Sequence, residues 1–117
     1  MRESQIEARM GQMVKKRGGL YYKFVSPGNP GVPDRIIVTP DGRVVWVELK
    51  TEVGRLSGLQ KWQIDELRKH KQDVRKVSGW DEARACVEDV FGGGGDARDI
   101  QAAQVPDVRN TADSRPE

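Results

Sequence analysis

Apolar residues recur along this chain in two different periods. Ile6, Met10, Met13 and Val14 follow the i, i+4, i+7, i+8 spacing of one helical face, which predicts an amphipathic helix over Ser4–Arg17. Ser4 with Glu7 forms a capping-box pattern at its start. Gly18-Gly19 is its stop, because glycine tolerates the left-handed conformation that ends helices. Leu20–Val25 is β-branched and aromatic and reads as a first strand. Ser26-Pro27-Gly28-Asn29-Pro30-Gly31 must be a loop. Arg35–Thr39 and Arg43–Lys50 read as two strands joined by the turn Pro40-Asp41-Gly42, and so as an antiparallel hairpin. Ser57 opens a second helix to about Lys71, with Leu59, Trp62 or Gln63, and Leu67 expected inward. Asp73–Val77 is a fourth strand. From Ser78 or Asp81 a third helix carries the stripe Ala83, Val87, Val90. The expected class is α/β, in the order α-β-β-β-α-β-α, with a mixed sheet flanked by helices.

The hairpin makes a geometric prediction. With its turn centred on Asp41, cross-strand partners have numbers that sum to about 82. Asp34 and Glu48 then stand opposite each other, with Cβ atoms about 4.5–5.5 Å apart. Alternation puts Lys50 on the face of Glu48, and Val45, Val47 and Leu49 on the other, which suits a core. A slip of one residue would put Asp34 on the wrong face. Two carboxylates held together need a cation between them. A hard divalent ion such as Mg²⁺ suits such a pair, because it binds oxygen and often uses one or two carboxylates plus a substrate phosphate. Lys50 adds positive charge where a phosphoryl group would approach. It can orient or deprotonate water, or stabilise charge that develops on the phosphate. On spacing alone, an Asp after Pro33 is an ordinary turn residue and a Glu–Lys pair an ordinary solvated one. Their place at the end of Val44-Val45-Trp46-Val47 argues for function, since charges there are costly unless paired or used.

Composition narrows the picture. The chain has 117 residues, 36% hydrophobic, enough for one modest domain with a thin core. No apolar run approaches the roughly 20 residues of a membrane span, and no apolar leader opens the chain, so neither membrane insertion nor secretion is expected. Cys86 is a lone cysteine, expected to fill space on a helix. A chain without a disulfide agrees with a reducing cytoplasm, of a bacterium or of a host cell if the source is viral. Residues 1–91 carry 17 Lys and Arg against 13 Asp and Glu, a net +4; residues 92–117 carry 3 against 5, a net −2. A mildly basic folded part is compatible with a nucleic-acid partner. Lys23, Arg35, Arg55 and Lys61 flank the motif and are candidate DNA contacts. His70 has no His or Cys partner at ligand spacing, so no zinc site is expected. Gly92–Gly95 marks a boundary, after which a polar, Gly-rich linker and disordered tail are expected over 92–117, with a short helix near Ile100.

These residues resemble a known pattern. Pro33-Asp34 followed by Glu48-Leu49-Lys50 is similar to the PD-(D/E)XK nuclease signature. Gly31-Val32-Pro33-Asp34-Arg35, Trp46-Val47-Glu48-Leu49-Lys50, Gly54-Arg55-Leu56-Ser57 and Gln60 together resemble the VRR-NUC family, and the likeness covers about Ser4–Val90. It implies a restriction-endonuclease-like core and metal-dependent hydrolysis of DNA phosphodiesters. It also implies that Asp34, Glu48 and the Leu49 carbonyl ligate Mg²⁺ or Mn²⁺, that Lys50 is the catalytic lysine, that Glu7 brings a further acid and metal ligand, and that Gln60 supports the site. Gln60 also completes a capping box from Ser57, as Glu7 does from Ser4. Compact members resemble Holliday-junction resolvases, which implies a structure-directed endonuclease acting on branched DNA as a homodimer. The alternative is a non-catalytic DNA- or protein-binding module on a nuclease-like fold.

Overall fold

The computed structural model describes residues 1–92. The linker and tail expected over 92–117 lie, from residue 93, outside the described residues, as does the helix expected near Ile100. The element order is α1 (Glu3–Lys16), β1 (Leu20–Lys23), β2 (Arg35–Val38), β3 (Val44–Lys50), α2 (Gly58–Lys69), β4 (Asp73–Ser78) and α3 (Gly79–Val90). This is the mixed α/β order expected. One sheet runs β1-β2-β3-β4. β1, β2 and β3 are antiparallel, and β4 joins β3 in parallel through α2. Among the described residues no helix is long and apolar enough to cross a membrane.

One face of the sheet carries the main core. Ile37, Val45, Val47, Leu49 and Val77 project from it and meet Ile6, Met10 and Val14 of α1 and Ala83, Cys86, Val87 and Val90 of α3. Alternation along β3 explains why Val45, Val47 and Leu49 share this face. Burying each such aliphatic side chain stabilises the fold by about 1.5–3 kcal/mol. Cys86 lies in this core as a space-filling residue, and burial pushes its thiol up to about 11.

Two sequence expectations change. The Ser4–Glu7 capping box does not form. The helix starts at Glu3, and the Gln5 side chain accepts from the Arg2 backbone N–H at 2.8 Å, so Glu7 lies in the second turn. At the other end, Gly18 at φ +83° lets its own N–H reach Lys15 O and the Gly19 N–H reach Val14 O, a Schellman closure. On α2, Leu59 and Trp62 are exposed, at 55% and 56%. The inward row is Gln60, Gln63, Ile64 and Leu67, with Ile64 buried over β4. Gln63 and Leu67 thus face inward as expected, while Gln60, with Glu48 beneath it, takes the inward place expected for Leu59.

Candidate active site

The β2–β3 register pairs Ile37 with Val45 and Arg35 with Val47. One residue further, Asp34 stands opposite Glu48 on the face covered by α2. The β1 edge continues to the same point, where the Phe24 N–H donates to Asp34 O at 2.8 Å. On the other side, β4 sets Lys76 beside Glu48 and Ser78 beside Lys50. Side chains of one face therefore run across four strands as Phe24, Asp34, Glu48 and Lys76, with Lys50 and Ser78 one step beyond. Asp34, Glu48 and Lys50 come together; Lys76 joins them without having been singled out from sequence. Val74, Lys76 and Ser78 alternate along β4, but nothing local shows which β3 residues they meet.

Glu48 is 6% exposed. Burial pushes its carboxyl up to about 7, the Asp34 carboxylate adds to this, the Lys50 ammonium opposes it, and Glu3 contributes a further upward push. An acid so placed favours either a proton or a cation near neutral pH. Its one hydrogen-bond donor among the described residues is Gln60, whose Nε2 donates to Glu48 Oε2 at 3.1 Å. The other end of the same amide caps α2. Gln60 Oε1 accepts from the Ser57 N–H at 2.8 Å, and Ser57 Oγ accepts from the Gln60 N–H at 3.1 Å. The cap and the support of Glu48 coexist in one side chain.

The same register bears on Leu49. Thr39 N–H donates to Arg43 O, so residues 43, 45, 47 and 49 of β3 turn their backbone groups toward β2. The residue opposite Leu49 is then Pro33, which has no N–H. The Leu49 carbonyl is left without a ladder donor, beside the two carboxylates, while its side chain is sealed in the core. Asp34 is held from behind. Gly31, at φ +91°, lies so close to α2 that an added Cβ would stand 2.7 Å from the Leu59 carbonyl carbon, and Gln63 donates to Pro30 O at 3.3 Å.

Other expected residues lie elsewhere. Glu7 accepts from Arg35 Nε at 2.7 Å, a partly buried ion pair. Arg35 shares the face of Val47, away from Asp34 and Glu48, and Lys23, opposite it on β1, turns the same way. Glu3, one turn before Glu7, is the helical acid that acts on Glu48. Among the described residues no three His, Cys, Asp or Glu side chains group together, and in this structure Glu7 is held by Arg35. Two carboxylates and a free carbonyl still fit Mg²⁺ or Mn²⁺, which keep several waters and take substrate phosphate as further ligands. Arg55 and Lys61 line a groove next to this face.

No family model matches the sequence. A solved chain described as "VRR_NUC domain" superimposes with a TM-score of 0.69, covering 74% of this chain and 94% of that one at 24% identity. The chain has the VRR-NUC fold. A curated relative, "Putative nuclease p44" of Acyrthosiphon pisum secondary endosymbiont phage 1, is 50% identical over 50 residues, 43% of this chain and 54% of the relative. The chain thus spans about half the length of that curated relative. Within the VRR-NUC fold, Asp34 and Glu48-Leu49-Lys50 occupy one end of the central hairpin, where the antiparallel pairing of β2 with β3 stops.

Proposed function

We propose that this protein is a divalent-metal-dependent DNA endonuclease that hydrolyses phosphodiester bonds at the Asp34–Glu48–Lys50 face. The observation that carries this reading is the pairing of a buried, proton-hungry Glu48 with Asp34 beside a carbonyl that lacks a donor. Asp34, Glu48 and the Leu49 carbonyl would hold Mg²⁺ or Mn²⁺. When bound, such an ion supplies Lewis-acid charge at the phosphate and eases deprotonation of water.

The remaining work falls to the chain itself. The two carboxylates orient attacking water and accept its hydrogen bonds. Gln60 orients the Glu48 carboxyl by donating to Oε2. Lys50, on the same face, stabilises negative charge as it builds on the phosphate oxygens. The clamp of Gly31 and Gln63 on α2 keeps Asp34 in place.

Branched DNA and a homodimer complete the proposal, on the resemblance of compact VRR-NUC chains to junction resolvases and on the surface a small domain gains by pairing. The test is a panel of linear, flapped and four-way DNA with Mg²⁺ or Mn²⁺, run beside light scattering. Cleavage of the branched forms by a dimer is the expected result; an uncut panel would reject the nuclease reading.

A further inference from the structure

The face that carries Glu48 continues into a groove of about 590 Å³, within the range of about 300–1,000 Å³ typical of ligand sites. Arg55 from the β3–α2 connector, Lys61 from α2 and Lys76 from β4 line it. Three cations from separate elements thus converge beside the carboxylates. Among the described residues none of the three is in an ion pair, whereas Arg35, Arg43, Lys69 and Arg75 all are. Glu52 also lines the groove, but its side chain packs against Gly79 at the start of α3, and the lining keeps a positive balance. The first turn of α2, next to the groove, holds no acidic residue to offset its helix dipole. Ser78 Oγ, also in the lining, is buried without a hydrogen-bond partner among the described residues. A folded protein seldom leaves such a group unpaired.

We propose that this groove binds an internal backbone phosphate of the nucleic-acid strand, next to the phosphate held at Asp34 and Glu48, with Lys76 as its central contact. The assignment rests on the nuclease reading for what lies at the carboxylates. Lys76 is one strand spacing, about 4.8 Å, from Glu48, and its ammonium ends a flexible four-carbon stem. It therefore reaches roughly the next nucleotide along a strand seated at the carboxylates. A polyanion is the ligand that can occupy a two-carboxylate cation site and a neighbouring cationic groove at once.

The experiment measures binding of the full chain to fluorescent oligonucleotides in chelator, so that cleavage plays no part. Arg55→Ala, Lys61→Ala and Lys76→Ala should each weaken binding several-fold, and each should lower the slope of log affinity against log salt by about one. A control triple, Lys15→Ala with Lys16→Ala and Arg84→Ala, removes the same charge from α1 and α3 and should leave affinity near that of the parent. Oligonucleotides with and without terminal phosphates should bind equally. The groove assignment is overturned if the Arg55/Lys61/Lys76 triple keeps the parental affinity and salt slope, if the control triple falls as far, or if binding demands a terminal phosphate. Groove-dependent binding with no cutting under any metal would sink the nuclease reading and leave the groove standing. Cutting with groove-independent binding would do the reverse.

Discussion

Gln60 joins Glu48 to the cap of α2: its Nε2 donates to Glu48 Oε2 at 3.1 Å while its Oε1 accepts from the Ser57 N–H at 2.8 Å. Gln60→Glu separates these two functions. Glutamate can still complete the capping box, so helix stability should hold within about 0.5 kcal/mol. The donor to Glu48 is lost and a like charge replaces it, so the Glu48 carboxyl should titrate higher than in the parent. Carboxyl NMR titration checks this; an unmoved Glu48 would show that the amide contact does not act on it. Gln60→Ala loses both, and should cost about 0.5–2 kcal/mol through the cap.

The raised pKa of Glu48 sets a pH dependence. Its folded pKa is about 7 against an ordinary 4.5, so between these values the folded state holds more protons than the unfolded one. Stability of the metal-free protein should therefore fall as pH rises from about 4.5 to about 7, then level. Glu48→Gln, which is neutral throughout, should flatten that slope and raise stability at pH 8 by roughly 1–3 kcal/mol. Denaturant titrations at pH 5 and 8 read both effects. A parent whose stability rises across this window would show that Glu48 titrates normally.

Cation binding should show the reverse sign. A divalent ion competes with the Glu48 proton, so Mn²⁺ affinity should increase as pH rises toward 7 and flatten above it. Calorimetry should find binding lost in Asp34→Asn and in Glu48→Gln. In Glu7→Gln it should stay near the parent value, because Glu7 is engaged by Arg35. If Glu7→Gln abolishes binding, the ion pair breaks in the working state and Glu7 turns to the metal.

Lys50→Ala should lower cleavage on the order of 100-fold or more while Mn²⁺ still binds. Single-turnover rates beside calorimetry separate the two readouts. Unchanged cleavage would remove Lys50 from the reaction.

Gly31→Ala tests the clamp behind Asp34. A side chain at φ +91° costs about 1–2 kcal/mol, and its Cβ would press on the α2 backbone at 2.7 Å. Gly28, at φ +83°, has nothing within 4 Å of an added Cβ. Gly28→Ala therefore carries the strain without the clash. Melting curves should show Gly31→Ala as the less stable of the pair, and its Mn²⁺ affinity should fall as Asp34 is displaced. Equal effects would mean that the contact with α2 contributes nothing.

What the sequence determined by itself is the local part of this protein. Period-two alternation in β3, a tight turn at Asp41 and a stop at Gly18-Gly19 are set by neighbouring residues, and they brought Asp34 and Glu48 to the same end of one hairpin. Packing between distant elements decided the rest. The parallel register of β4, which puts Lys76 beside Glu48, depends on how α2 crosses the sheet and has no local signal. On α2, Leu67 and the alternative Gln63 turned inward as expected, but Leu59 did not, because apolarity was taken to point inward there, when a polar Gln60 had a buried carboxylate to meet. Glu7 read from sequence as a cap or a site acid; α1 began at Glu3, so the cap did not form, and the sheet placed Arg35 beneath Glu7 as its ion-pair partner. A side chain's chemistry is written in its identity, but its partner is chosen only when the elements close around it.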